Sequence, residues 1–78
     1  MYEVEVLLNS IDKVKNFVSI TAKFDAEMDL VNGRYTVDAK SILGIFSMDL
    51  AKPLIFRVYE GKENVSDILK AISQYVNN

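Results

Sequence analysis

Val65, Ile68, Leu69, Ile72, Tyr75 and Val76 recur at steps of three and four, so a single stripe of an α-helix carries all six. Asn64 stands just ahead, able to accept the first free N–H groups, and Asp67 puts a carboxylate in the first turn, where the helix dipole favours it. This stripe is the tightest constraint in the chain. A lone amphipathic helix is marginal in water, so the rest of the sequence has to supply an apolar surface for it to cover. That surface is predicted to be a sheet, because Tyr2, Val4, Val6 and Leu8 alternate with Glu3 and Glu5 at the two-residue period of a strand with one wet face.

Asn32-Gly33 lies between two more apolar runs, Ala26, Met28 and Leu30 before it and Tyr35 and Val37 after it. The pair tolerates the positive φ of a tight turn, so the second and third strands should form an antiparallel hairpin around it. Leu54 to Tyr59 follows Pro53 and reads as a fourth strand, ending at Gly61. Two further helices are expected. Ile11, Val14, Phe17, Val18 and Thr21 face one way, with Asp12, Lys13, Lys15 and Asn16 opposite, Ser10 as N-cap and an end near Lys23. Ser41 to Leu50 reads as a short helix in which Ile42, Leu43, Ile45, Phe46 and Met48 point in nearly every direction, more than one buried face can hold. The order strand, helix, strand, strand, short helix, strand, helix predicts an α+β domain with its helices on one face of an antiparallel sheet. No linker, repeat or low-complexity stretch interrupts it, so residues 1–78 are expected to form one domain.

Composition narrows the function by subtraction. At 78 residues, half of them apolar, the chain can build one small core and no second. With no cysteine, disulfides, thiolate nucleophiles and sulfur-ligated metals are excluded; with no histidine, the usual metal ligand and general base go too. Hence no catalytic residue, cofactor or metal is expected, and the chain reads as a binding or regulatory protein and not as an enzyme. Asp25, Glu27 and Asp29 alternate with apolar positions and read as a solvated strand face. Eleven acidic residues oppose nine basic ones, for a net charge of -2, and no cationic cluster offers affinity for nucleic acid. No apolar run approaches a bilayer span and no leader-like segment is evident, so no membrane partner is expected and the cytoplasm is the expected location.

The segment Lys40-Ser41-Ile42-Leu43-Gly44-Ile45-Phe46-Ser47-Met48 resembles the regulatory-serine region of HPr, the phosphocarrier of the bacterial sugar phosphotransferase system. Ala22-Lys23-Phe24-Asp25-Ala26-Glu27 is similar as well, and the likeness spans nearly the whole chain, although only the part around Ser41 is specific. It implies that family's open-faced β-sandwich: a four-stranded antiparallel sheet in the order 1-4-2-3 with three helices on one face. Counting back without gaps from Ser41, the family's phosphorylated histidine falls on Ser10 and its phosphate-binding arginine on Asp12. No histidine phosphocarrier activity is therefore expected. A serine ester is too stable to pass its phosphoryl group onward, and the Asp12 carboxylate repels an incoming phosphate. Two smaller departures are that Asn32-Gly33 comes one residue early and that Asp49 stands where the family usually has glycine.

The resemblance also implies partners. In many relatives a dedicated HPr-type serine kinase phosphorylates the residue matching Ser41, and the phosphoserine form binds a transcriptional co-regulator. The positions matching Ile42, Leu43 and Phe46 form an exposed apolar docking patch there, while those matching Ile45 and Met48 turn inward. The residues themselves also allow plainer readings. A serine ahead of a short helix is an N-cap worth about 1 kcal/mol, and a rotation of that helix would bury more of the trio. Gly44, at a cost of roughly 1 kcal/mol inside a helix, marks a close approach, whether by a partner or by the domain itself. Ser10 and Asp12 can serve the helix dipole with no chemistry. The expected function is thus that of an HPr-like regulatory or protein-binding domain, switched by phosphorylation at Ser41, as a monomer or weak homodimer. A homo-oligomeric assembly module built on the short helix, or a decayed paralogue without phosphorylation, are the alternatives.

Overall fold

The computed structural model describes residues 1–59, 61 and 64–77. Its elements are β1 (Tyr2–Val6), α1 (Ile11–Thr21), β2 (Met28–Asn32), β3 (Tyr35–Asp38), α2 (Ile42–Phe46), β4 (Leu54–Val58) and α3 (Val65–Ala71), followed by a 3-10 turn at Ser73–Tyr75. The strands form one sheet in the order β1-β4-β2-β3, all neighbours antiparallel, with the helices covering one side. This is the α+β open-faced architecture that the resemblance implies. The expected end of the fourth strand at Glu60-Gly61 lies partly outside the described residues.

Pairing register explains which residues go inside. Residues directly opposite one another share a face, so Val4 across from Phe56, Val6 across from Leu54, and Leu30 across from Phe56 build the inner surface. Leu54, Phe56 and Val58 are all fully buried, as suits a strand with neighbours on both sides. Val14 and Phe17 of α1, Ile45 of α2 and Ile68 of α3 close over that surface. At the centre the Phe17 ring meets Phe56 at 5.2 Å and Tyr75 at 5.7 Å, both edge to face. Burial pushes the pKa of the Tyr75 hydroxyl up. The phenol of the unfolded chain therefore loses its proton first, and stability falls as pH rises through the alkaline range.

The open face is charged. Across the sheet, Glu3, Arg57, Asp29 and Asp38 follow one another in register. The Arg57 Nε–H donates to Glu3 Oε2 at 2.7 Å, the Tyr59 hydroxyl donates to Asp29 Oδ2 at 2.9 Å, and the Lys40 N–H donates to Asp38 Oδ1 at 2.8 Å. The like-charged neighbours Asp29 and Asp38 thus each have their own donor. Hydrogen bonding with Tyr59 first and Glu3 second pushes the pKa of the Arg57 guanidinium up. Among the described residues no cluster of carboxylates is arranged to hold a metal.

Several boundaries and side-chain placements differ from the sequence reading; the fourth strand, for one, ends at Val58. The hairpin closes on the pair Asn32 and Tyr35, so its turn residues are Gly33 and Arg34, one position later than expected. Gly33 has φ +59° and no non-glycine described residue has positive φ, which is the II′ pattern with glycine first. The last helix ends at Ala71, and Tyr75 stays buried by way of the 3-10 turn. The chain then turns back to cover the edge strand β1: the Leu7 N–H donates to the Tyr75 carbonyl at 2.9 Å, the Asn77 N–H donates to the Glu5 carbonyl at 2.8 Å, and Val76 bridges to Val6. The short helix stops at Phe46 and not at Leu50, because the Ser47 hydroxyl bonds back to the Gly44 carbonyl and Asp49 Oδ1 accepts the Ala51 N–H at 3.1 Å. The first strand ends at Val6, two residues before Leu8. Ile11, expected on the buried side of α1, is 63% exposed, since the buried stripe starts a turn later at Val14.

Candidate functional site

Three contacts fix the loop that carries Ser41. The Ser41 N–H donates to the Asp38 carbonyl at 3.0 Å, Lys40 Nζ donates to the Phe24 carbonyl at 2.6 Å, and the buried Thr21 hydroxyl lies 3.2 Å from both the Val18 and Ala39 carbonyls. Thr21 and Lys40 therefore tie the end of α1 to the start of α2. Neither role was read from the sequence; the signal was a threonine on an otherwise apolar helix stripe. Ser41 itself is extended (φ -98°, ψ 105°), and its Oγ accepts the Gly44 N–H at 3.1 Å, the N-cap geometry expected for it. It is half-buried.

Gly44 owes its place to this cap. A Cβ there would lie 3.1 Å from Ser41 Oγ and 3.3 Å from Val37 Cβ, so the close approach is made by the domain's own side chains. Leu43 and Phe46, three residues apart on one side of α2, are 80% and 40% exposed. Ile45 is buried and Met48 half-buried against the core, as the inward positions should be. Ile42 differs from expectation. It shares the inner side with Ile45 three residues on and packs, half-buried, against the core, so only two of the trio are open apolar surface.

Phe46→Ser is accordingly expected to lower stability by about 1–2 kcal/mol, below the 3–5 kcal/mol of a fully buried aromatic. Urea unfolding followed by circular dichroism measures it; a loss above about 3 kcal/mol would make the ring part of the core.

Ser10 is extended (φ -151°, ψ 158°), and its Oγ accepts the Lys13 N–H at 3.1 Å as the N-cap of α1. Asp12 is exposed in the first turn, and Lys13 Nζ donates to Asn9 Oδ1 at 2.9 Å. These groups hold a helix start and offer no nucleophile with a base beside it. Exposed Ile11 stands between them, on the helix that packs against α2.

No protein-family model matches the chain, and no curated protein matches it in sequence. Solved structures do. HPr-C-His from Thermoanaerobacter tengcongensis superimposes with a TM-score of 0.78 at 22% identity, over 95% of this chain and 89% of that one. The phosphocarrier protein HPr from Bacillus anthracis str. Ames superimposes with a TM-score of 0.73 at 29% identity, over 97% and 94% of the two chains. The fold is therefore that of the HPr proteins over nearly the whole chain. The chain is HPr-like, and its sequence contains no histidine.

Proposed function

We propose that this chain is a regulatory, protein-binding HPr-like domain that does not carry phosphoryl groups on histidine, and that phosphorylation of Ser41 switches it. The observation that carries this reading is the pairing of a half-exposed N-cap serine with two exposed apolar side chains, Leu43 and Phe46, on the short helix it starts. A phosphate on Ser41 would meet the free N–H groups of that helix, which favour a dianion, so the fold tolerates the modification while the charge beside Leu43 changes sharply. Leu43 and Phe46, with the rim of Ile42, are the docking residues in this reading. An HPr-type serine kinase and a transcriptional regulator of sugar phosphotransferase genes are its partners, and the cytoplasm is its site of action. Among the described residues no helix is long and apolar enough to cross a membrane.

Three substitutions separate capping from switching. Ser41→Asp keeps the fold, Ser41→Ala loses about 1 kcal/mol, and Ser41→Gly loses only a few tenths, about 0.3 kcal/mol. A cognate HPr kinase with ATP labels the wild type and not the alanine variant. Wild type left unlabelled, beside a control HPr labelled in the same tube, would reduce Ser41 to a cap. The exposed side chains of Leu43 and Phe46 also favour a second reading, a permanent homo-oligomer through the short helix. Sedimentation decides: a stable dimer lost on Phe46→Ser would support assembly over switching.

A further inference from the structure

We propose that the cleft between the start of β1 and one side of α3 binds a small anionic amphiphile, an aromatic or aliphatic carboxylate. The cleft measures about 690 Å³, within the range of small-molecule sites. Tyr2 lies on the inner face of the sheet, opposite Val58 and in line with Val4 and Val6, yet it remains 49% exposed because α3 does not close over it. Val65 and Leu69, one turn apart and half-buried, complete an apolar wall facing the ring. Ser66, Lys70 and Ser73, at steps of four and three, line the polar side.

Their chemistry is one-sided. The carboxamide of Asn64 is taken up by the Ser66 N–H at 2.9 Å, whereas among the described residues the Lys70 ammonium has no ion pair and the Ser66 and Ser73 hydroxyls no hydrogen-bond partner. Among the described residues no carboxylate lines the cleft. One cation and two hydroxyls beside an aromatic and two aliphatic side chains complement a ligand with a flat apolar body and a single anionic group. The cleft lies at the opposite end of β1 from Ser10, so the inference is independent of any role for Ser10 or Ser41.

The probe is 1-naphthoate, titrated into the full chain and followed by amide and tyrosine-ring NMR shifts, with the neutral isostere 1-naphthamide alongside. Saturable shifts are expected at Tyr2, Ser66, Leu69 and Lys70, with Leu43 and Phe46 unmoved. The amide, and separately Lys70→Met with its fold verified by circular dichroism, should raise Kd about tenfold, the loss of one charge-assisted contact. Absence of saturable shifts at Tyr2 and Leu69, equal binding of acid and amide, or largest shifts at Leu43 and Phe46 would each overturn the proposal.

Discussion

Phe17→Ala is expected to be strongly destabilising. The ring is fully buried and touches Phe56 and Tyr75 edge-on, so its removal loses apolar burial and two aromatic contacts at once. Truncation of a buried phenylalanine costs about 3–5 kcal/mol. A domain of 78 residues has a total stability of roughly 4–12 kcal/mol, so the loss takes from about a quarter to all of it. Collapse around the gap offers little relief, because the three rings come from different elements: α1, the inner strand β4, and the turn after α3. Ile11→Ala on the same helix is the control, with an expected change within about 0.5 kcal/mol because that side chain is mostly exposed. Urea melts of the two variants test the pair. A Phe17→Ala loss below about 2 kcal/mol would show that the ring is not the keystone of the core.

What the sequence made legible follows from how local each determinant is. Period located β1, α1 and α3, because burial on one side enforces the spacing, turn residues and Pro53 marked off the other strands, and Asn64, Ser10 and Ser41 all act as the N-caps expected of them. Boundaries failed where tertiary pairing took over from propensity. The spacing of Tyr75 and Val76 fits a helix, but the unpaired edge of β1 accepts the chain as a partner, and a 3-10 turn keeps Tyr75 inside while Val76 extends. The hairpin misreading is of another kind. Asn-Gly favours a type I′ turn on its own, yet glycine first with Arg34 second satisfies a II′ turn equally well, and the pairing of Asn32 with Tyr35 chooses between them.

At the candidate site the pattern reversed. The resemblance indicated where the apolar docking residues would be, but which of Ile42, Leu43 and Phe46 reach solvent depends on the rotation of α2 against α1 and β3, and a helix of five residues has too few positions to encode it. Ile45 sets that rotation by entering the core and takes Ile42 partly with it. Gly44 then follows, since any side chain there would press on the cap hydroxyl of Ser41 and on Val37. The exposure of Ile11 was hidden for a similar reason: periodicity marks a stripe but not how far the sheet beneath it extends.

Under the proposed function, the wild-type chain takes up no acid-labile phosphate from phosphoenolpyruvate in the presence of the phosphotransferase system's enzyme I. In the gapless count from Ser41 the family's histidine falls on Ser10, whose oxygen is engaged by the Lys13 N–H, and a hydroxyl without a base is a poor acceptor. Asp12 stands in the same first turn. A carboxylate about 4 Å from a transferring phosphoryl group near a protein surface opposes each unit of its charge by about 1–4 kcal/mol, which is roughly fivefold to nearly a thousandfold in rate. Ser10→His alone should therefore label slowly if at all, whereas Ser10→His with Asp12→Arg replaces that repulsion with attraction and should label at least about tenfold faster. Both variants should keep the fold, since position 12 is exposed and the lost serine cap costs about 1 kcal/mol. Acid-labile label on the wild type would end the claim that this domain is no phosphocarrier. A folded double variant that remains unlabelled would show that the pair at positions 10 and 12 does not suffice.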